Sequence, residues 1–558
     1  LSAWPPDGIV ISMRFLLLAS LLLSSFGCGD DGMSPTDGGM DMGDTGTGTD
    51  ASTPVDGSTP DGSVTDAGAD ASSDGGAPDA TVACTPSMPV ADGFCEATGT
   101  GACYYVDPAR GDDANAGTFA APFRTMANLN RGIYARYRAA GWLELQGGDY
   151  VYLRGGTHEA VYHPGGDSGP GDGGNHVIFL DRLATGTPEA PITIKGYPGE
   201  RAVIDPNYGA NGITLLATNH VRISDLTIER AMDRGIRVGG GSGLLIERVV
   251  VRDTDGSARG NIAGIGMAGA SDVEIRQSVF IDNYDRTIAM AGAQTENSCN
   301  IAMFSGAGFT HIHHNAFLQT GTGHFSGCGF KYKHSSHSQT SSFELDHNYF
   351  ENHSFFAVGV GTNNAHVHHN VVVGAPVAFM SRDFGGITHQ VNQLFEYNTV
   401  YDARAIMVNP ALRWTGERGG PWPAFENVAF RNNVVHDRTG SPDQGRRTVQ
   451  ISTYGDDTIH DVSADNTDFA SNCYWADNGV GFGITEDVDP YPAGGLFDLA
   501  GWRTTYGWDL DSTIEDPGFS APLSGDLTPA AGGSCASRGA FADGHAPPTS
   551  VDDVLDCL

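Results

Sequence analysis

One short pattern recurs nine times between Ile223 and Tyr474, and it limits the possible folds more than any other feature of this chain. An apolar residue is followed by two variable residues, a turn residue and, two places further on, a second apolar residue. It reads ISDLTI from Ile223, IERVVV from Ile246, IRQSVF from Ile275, IHHNAF from Ile312 and LDHNYF from Leu345. It continues as VHHNVV from Val367, FEYNTV from Phe395, FRNNVV from Phe430 and FASNCY from Phe469. Successive units start 22 to 39 residues apart. Two short strands joined by a tight turn, with excursions of variable length elsewhere, make one coil of a solenoid. No unit can bury its apolar side alone, so the units must stack. The predicted fold is all-β, a right-handed parallel β-helix. Six successive units carry Asn at the turn: Asn315, Asn348, Asn370, Asn398, Asn433 and Asn472. Asn tolerates the left-handed backbone of a turn, and amides stacked about 4.8 Å apart can bond along the stack. An Asn ladder is therefore expected.

A second strand family precedes each unit: GIRVGG at 235, GIGMAG at 264, NIAMFSG at 300, GFKYKH at 329, FAVGVG at 356, VAFMSR at 377 and AIMVNP at 405. These should stack into one parallel sheet. Cys299 and Cys328 each stand two residues before the first inward apolar residue of neighbouring strands, Ile301 and Phe330. Adjacent coils bring such positions to disulfide distance, so this pair is expected to be bridged. Strand alternation turns Phe330 and Tyr332 inward and Lys331 and Lys333 outward. The two lysines stand out because the chain has only one other, Lys195, against 28 arginines.

The flanks of the repeat are of other kinds. MRFLLLASLLLSSFGC from Met13 has one basic residue and a short apolar run before Cys28, which reads as a secretory signal. Its form resembles a bacterial lipoprotein signal, which implies lipidation at Cys28. Residues 1–12 precede that start and read as a mis-assigned gene start. Residues 29–83 hold 12 Asp and no Lys or Arg, too little apolar surface to order, so they read as a tether. Removing those 12 from the net charge of −36 leaves −24. Such an acidic body argues against nucleic acid as a partner, though an acidic polysaccharide could bind in a locally positive groove. Eight cysteines remain beside Cys28, an even number that suits disulfides in an exported chain. Residues 84–540 are assigned to a single β-helix domain with caps, and 541–558 to a C-terminal tail.

YYVDPARGDDANAGTFAAPFRTM at 104–126, DYVYLRGGTHE at 149–159 and PITIKGYPGERAVID at 191–205 are similar to the entry of secreted parallel β-helix proteins of the pectate-lyase-like superfamily. WRTTYGWDLDSTIEDPGF at 502–519 resembles their closing segment. The resemblance implies a polysaccharide or other glycan as partner and a monomeric, exported protein, either secreted or held at the membrane only by its lipid. It also implies a lyase in which a lysine on the first-strand sheet acts as base, often beside calcium.

β-Elimination on a uronate needs a cation on the carboxylate and a base for the neighbouring proton. Lys333 or Lys331 is the candidate base and Arg382, in VAFMSRDFG, the carboxylate clamp. His334 is a candidate for proton transfer, and Arg237 and His337 for substrate contact. Ca²⁺ is the candidate cofactor, with oxygens from Asp253, Asp255, Asp282, Asp285, Glu296 and Asn300. His314, His347 and His369 precede the turn Asn on three consecutive coils and should stack. The ladder explains that stack without a metal, and no HExxH pattern is present. Two other readings stay open. One is a hydrolase using Asp253, Asp282 or Asp285 as paired carboxylates. The other is a non-catalytic surface β-helix that binds glycans or has a structural role.

Overall fold

The computed structural model describes residues 90–129, 143–160, 176–255, 262–285, 298–304, 306–320, 327–333, 342–382, 390–409, 425–438, 447–452, 466–485 and 496–555. Residues 1–83, and with them the signal, Cys28 and the tether, lie outside the described residues, as do Cys84, Cys557, Glu296, His334 and His337.

Each coil contributes three strands. The first family, including Arg234–Gly239, Ala263–Ala268, Cys299–Phe304, Cys328–Lys333, Phe356–Val360, Val377–Arg382 and Arg404–Asn409, forms one sheet, parallel throughout these strands. The second family carries the first apolar residue of each unit and includes Ser271–Arg276, Ala307–His313, Ser342–Asp346, Ala365–His368, Gln390–Glu396 and Phe425–Arg431. The third follows the turn Asn, as in Val279–Ile281, Ala316–Leu318, Tyr349–Glu351 and Val371–Val373. Inward apolar residues of all three share a single core. The rings of Phe280, Phe317 and Phe350 stack on successive coils with centroids 5.0 and 4.5 Å apart.

The corner between the second and third families decides the register. His314, His347, His369, Tyr397, Asn432 and Ser471 all have φ between 50° and 55°. The left-handed residue is thus the one before the Asn, a correction to the expectation that Asn itself occupies that conformation. It has a physical reason. Ile312 faces inward, so simple alternation would turn Asn315 outward; one left-handed residue breaks the period of two and returns Asn315 to the interior. All six Asn are fully buried.

The expected ladder is present. Each Asn Nδ2 donates to the Oδ1 of the next Asn, from Asn315 through to Asn472, at 3.0 to 3.1 Å. Each also donates to a backbone carbonyl of the preceding coil; for Asn348 that is Ile312 O at 2.9 Å. Ser278 begins the row, its N–H donating to Asn315 Oδ1. Asp509 ends it, accepting from Asn472 Nδ2 at 3.2 Å. A second, exposed Asn row, not foreseen from the sequence, runs along another corner. Asn392 Nδ2 donates to Asn364 Oδ1, and Asn427 Nδ2 to Asn392 Oδ1, each at 3.0 Å. Here the Asn residues do take the left-handed backbone themselves.

Both ends are closed by aromatic layers. Tyr105, Tyr152 and Tyr197 pack with Phe94 and Phe119 at the N-terminal end, near the Cys95–Cys103 disulfide. At the other end Trp502, on the helix Leu499–Tyr506, packs against Trp508. The chain then turns back along the third strand family. Cys535 is bridged to Cys473, Ala540 N donates to Thr399 Oγ1, and Val554 packs with Val279, Ala316, Tyr349 and Val371. The described part of the segment set apart as a tail, residues 541–555, is therefore a strap laid against the coils. The expected Cys299–Cys328 bridge is present between paired positions of adjacent coils.

Two predictions follow from the ladder. Replacing Asn370 by Ala deletes three donated bonds and the acceptor for Asn348 N and Nδ2. It should cost about 3 kcal/mol or more, whereas Asn392→Gly on the exposed row should cost under about 1 kcal/mol. Equal losses in chemical denaturation would contradict this account. Burial pushes the Asp509 carboxyl up to about 6, against bonds from Ser512, Asn472, Trp502 and Tyr474. A raised carboxyl means that the folded state holds a proton the unfolded state has released. Stability should therefore fall as pH rises from about 4 to about 6, by on the order of 3 kcal/mol. The difference in stability between wild type and Asp509→Asn, measured across that window, should slope accordingly.

Candidate functional site

The outward faces of the first and second strand families carry different chemistry. On the first, one outward row reads Arg237, Gly266, Ala302, Lys331, Gly359, Met380 and Met407. The next contains Phe304, Lys333, Gly361 and Arg382. Lys333 and Arg382 thus share a row two coils apart, about 10 Å at the spacing of parallel strands. Arg237 lies in the row of Lys331, three coils earlier.

Lys331 is not on a solvated face, however: only 3% of it is exposed. The outer side of this sheet is itself apolar around the disulfide, where Ala263, Ala302 and Met380 cluster with Phe304 and Met407. Alternation predicts the side of the sheet correctly but cannot predict what covers it. Lys333 is half-buried at the edge of that cluster.

The proposed calcium ligands are dispersed by their structural duties. Asp253 and Asp282 occupy left-handed corners on adjacent coils. Asp282 also accepts from Thr320 N at 2.7 Å. Asn300 Oδ1 accepts from Asn283 Nδ2 inside the coil, and Asp285 is fully buried. No three of Asp253, Asp255, Asp282 and Asp285 converge on one coordination sphere. Glu296, the remaining carboxylate expected for calcium, lies outside the described residues.

The outward face of the second family carries a lattice that sequence reasoning missed. One row runs Glu274, His311, Glu344, His366, and the neighbouring row Arg276, His313, Asp346, His368, Glu396, Arg431. Imidazoles and carboxylates pair across coils. His311 Nε2 bonds Asp346 Oδ1 at 2.6 Å, His368 Nε2 bonds Glu344 Oε1 at 2.9 Å, and His366 Nε2 bonds Glu396 Oε1 at 3.0 Å. Burial pushes Asp346 up, but bonds from His311 and His347 prevail and hold its carboxyl well below the ordinary range. Conversely, burial pushes His311 down while Asp346 raises it, with a net rise. Burial, then neighbouring histidines, hold His369 low and therefore neutral. The signal was legible in THIHHN, ELDHN and HVHHN, where polar residues alternate with the inward apolar one.

His314, His347 and His369 stack as expected, with centroids 4.9 and 5.2 Å apart, and Tyr397 continues the stack. At one end of the lattice an open groove of about 350 Å³ is lined by Pro188, His220, Arg222, Glu274, Phe309 and His311.

A family model described as a right handed beta helix region matches residues 211–373. No curated protein matches the chain. Similar solved structures include a pectate lyase, 17% identical with a TM-score of 0.42, covering 67% of this chain and 80% of the other. A mannuronic-acid-specific lyase from the human gut microbiota is 15% identical with a TM-score of 0.42, covering 70% and 78%. A lacto-N-biosidase from Eubacterium ramulus is 14% identical with a TM-score of 0.32, covering 67% and 64%. They include both lyases and a glycosidase, and likenesses this distant do not choose between them. The fold is a right-handed parallel β-helix on its own strand register and the family model.

The lattice makes a pH prediction. Burial pushes Glu396 up, but bonds from His366 and Arg431 outweigh it and hold the carboxyl below its ordinary value of 4.5. A depressed carboxyl contributes stability that is complete above its unfolded value and is lost as pH falls through the folded one. The stability gap between wild type and Glu396→Gln should be constant above about pH 5 and shrink below about 4.5. A gap that widens in acid would contradict the pairing.

Proposed function

We propose that this chain is an exported protein that cleaves an acidic, uronate-containing polysaccharide by β-elimination on the outer face of the first strand family. The observation that carries the reading is the placement of Lys331, Lys333 and Arg382 on one face of one sheet, in a chain with only three lysines. Arg382 would hold the uronate carboxylate with its planar fork. Lys333, half-buried on the same outward face as Lys331, would take the proton at the carbon next to that carboxylate. Removing an ammonium from water, or placing another cation beside it, favours the neutral amine that can act as base. The C–H electron pair becomes the new ring double bond as the adjacent glycosidic C–O bond breaks. The departing oxygen gains a proton from water or from the protonated lysine. Export agrees with three disulfides in the described residues, and lipidation at Cys28 would retain the protein at the cell envelope.

One observation favours a second reading, glycan binding without turnover. The groove beside the histidine lattice exposes 44% of Phe309 next to His311, and an aromatic face flanked by polar groups suits a sugar ring.

The test is incubation with a panel of uronate polymers, following the ultraviolet absorbance of unsaturated products. Lys333→Ala should lower turnover by ~10²–10⁴-fold, and Arg382→Ala should act on KM as well as kcat. Absence of unsaturated product from every polymer would overturn the lyase. Reducing ends without that absorbance would indicate hydrolysis, and binding without either product would leave the glycan-binding reading. Full activity in both Lys331→Ala and Lys333→Ala would remove the proposed base.

A further inference from the structure

The C-terminal strap brings a histidine to the corner stack that no repeat supplies. His545 Nδ1 lies 3.0 Å from His347 Nε2, and its ring centroid is 4.0 Å from that of His369. One ring nitrogen from each of His347, His369 and His545 falls within 4.8 Å of the others. The tautomer of His347 is fixed by its surroundings. Its Nδ1 stands 2.6 Å from Asp346 Oδ2, and an ionised carboxylate only accepts. His347 therefore donates from Nδ1, which leaves Nε2 as the ring nitrogen turned towards His545. A carboxylate behind an imidazole, fixing its tautomer and raising its basicity, is the usual outer-shell arrangement of metal-binding histidines.

We propose that His347, His369 and His545 form a three-histidine site for a first-row transition ion of the Zn²⁺ class, which clasps the C-terminal strap to the β-helix. Imidazole nitrogens suit such ions. Ligands at about 2.0–2.1 Å in a tetrahedron stand roughly 3.3 Å apart. The His347–His545 pair is already near that separation, and side-chain rotation closes the rest. A water molecule completes four-coordination. Three further groups of imidazoles and carboxylates lie nearby. In each of them a carboxylate already bonds an imidazole, at 2.6 to 2.9 Å, and the pair satisfies itself. Of these four groups, all among the described residues, the three-histidine one joins two distant parts of the chain and consists of imidazoles alone. Asp346 is a positioning residue for it.

The test uses the full chain, stripped with a chelator and titrated with Co²⁺ and then Zn²⁺. One Co²⁺ per chain is expected, with the visible absorption of a four-coordinate nitrogen site, displaced by Zn²⁺. Metal should slow hydrogen exchange in residues 540–555. His545→Ala and His545→Gln should each weaken binding at least ~100-fold and cancel that protection, while Asp346→Asn should weaken it ~10–100-fold with stoichiometry still one. His366→Ala, in a neighbouring group, should leave binding unchanged. Absence of stoichiometric Co²⁺ binding would overturn the proposal, as would equal binding by the His545 variants or loss of binding in His366→Ala. None of these readouts depends on activity towards a polysaccharide.

Discussion

The structure depends on one left-handed residue at the corner between the second and third strand families of each coil. His314, His347, His369, Tyr397, Asn432 and Ser471 turn the strand so that the Asn after each points inward. A left-handed conformation costs a non-glycine residue about 1–2 kcal/mol, and a buried amide without partners would cost more. The ladder offsets both. Each Asn satisfies its own side chain, the backbone of the preceding coil and the next Asn in one plane of contacts. Because every member needs the coils on either side, the row ends need substitutes, and Ser278 and Asp509 supply them.

Fixing the corner also fixes what faces outward. Positions 22 to 39 residues apart in sequence become neighbours about 4.8 Å apart in a row. A polar side chain therefore interacts mainly with the residue one coil away. On the second strand family this alignment sorts histidines and carboxylates into alternating partners one coil apart. On the first family the outward rows mix small and apolar residues with Arg237, Lys331, Lys333 and Arg382. The two faces of one solenoid thus carry different chemistry.

The repeat was legible because its period is set by the core: Ile312, Leu345, Val367 and Phe395 must face inward whatever surrounds them. The Asn row and the Cys299–Cys328 pair followed from the same register. The burial of Lys331 did not, since alternation describes one strand and says nothing of what covers a sheet from outside. The second Asn row escaped because it rests on position alone. Asn364, Asn392 and Asn427 each stand three residues before an inward apolar residue, with no apolar pattern of their own. His545 was hidden for a different reason. It lies outside the repeat, and only the path of the strap brings it to His347.

That path bears on how a solenoid ends. Stacked coils present open edges, which aromatic layers around Tyr152 and Trp502 close here along the axis. The strap works across the axis instead. Its cysteine is bridged to the coil of Cys473, its backbone bonds the coil of Thr399, its histidine meets the coils of His347 and His369, and its final helix packs over the coil of Val279. Each contact is modest, but the strap ties coils that otherwise touch only their neighbours. Opening one coil therefore requires releasing contacts at several others, which makes a nearest-neighbour array more cooperative. At the corner histidines this strap meets a row of stacked side chains, one of which, His347, is held by a buried carboxylate. A clasp there would act on several coils at once.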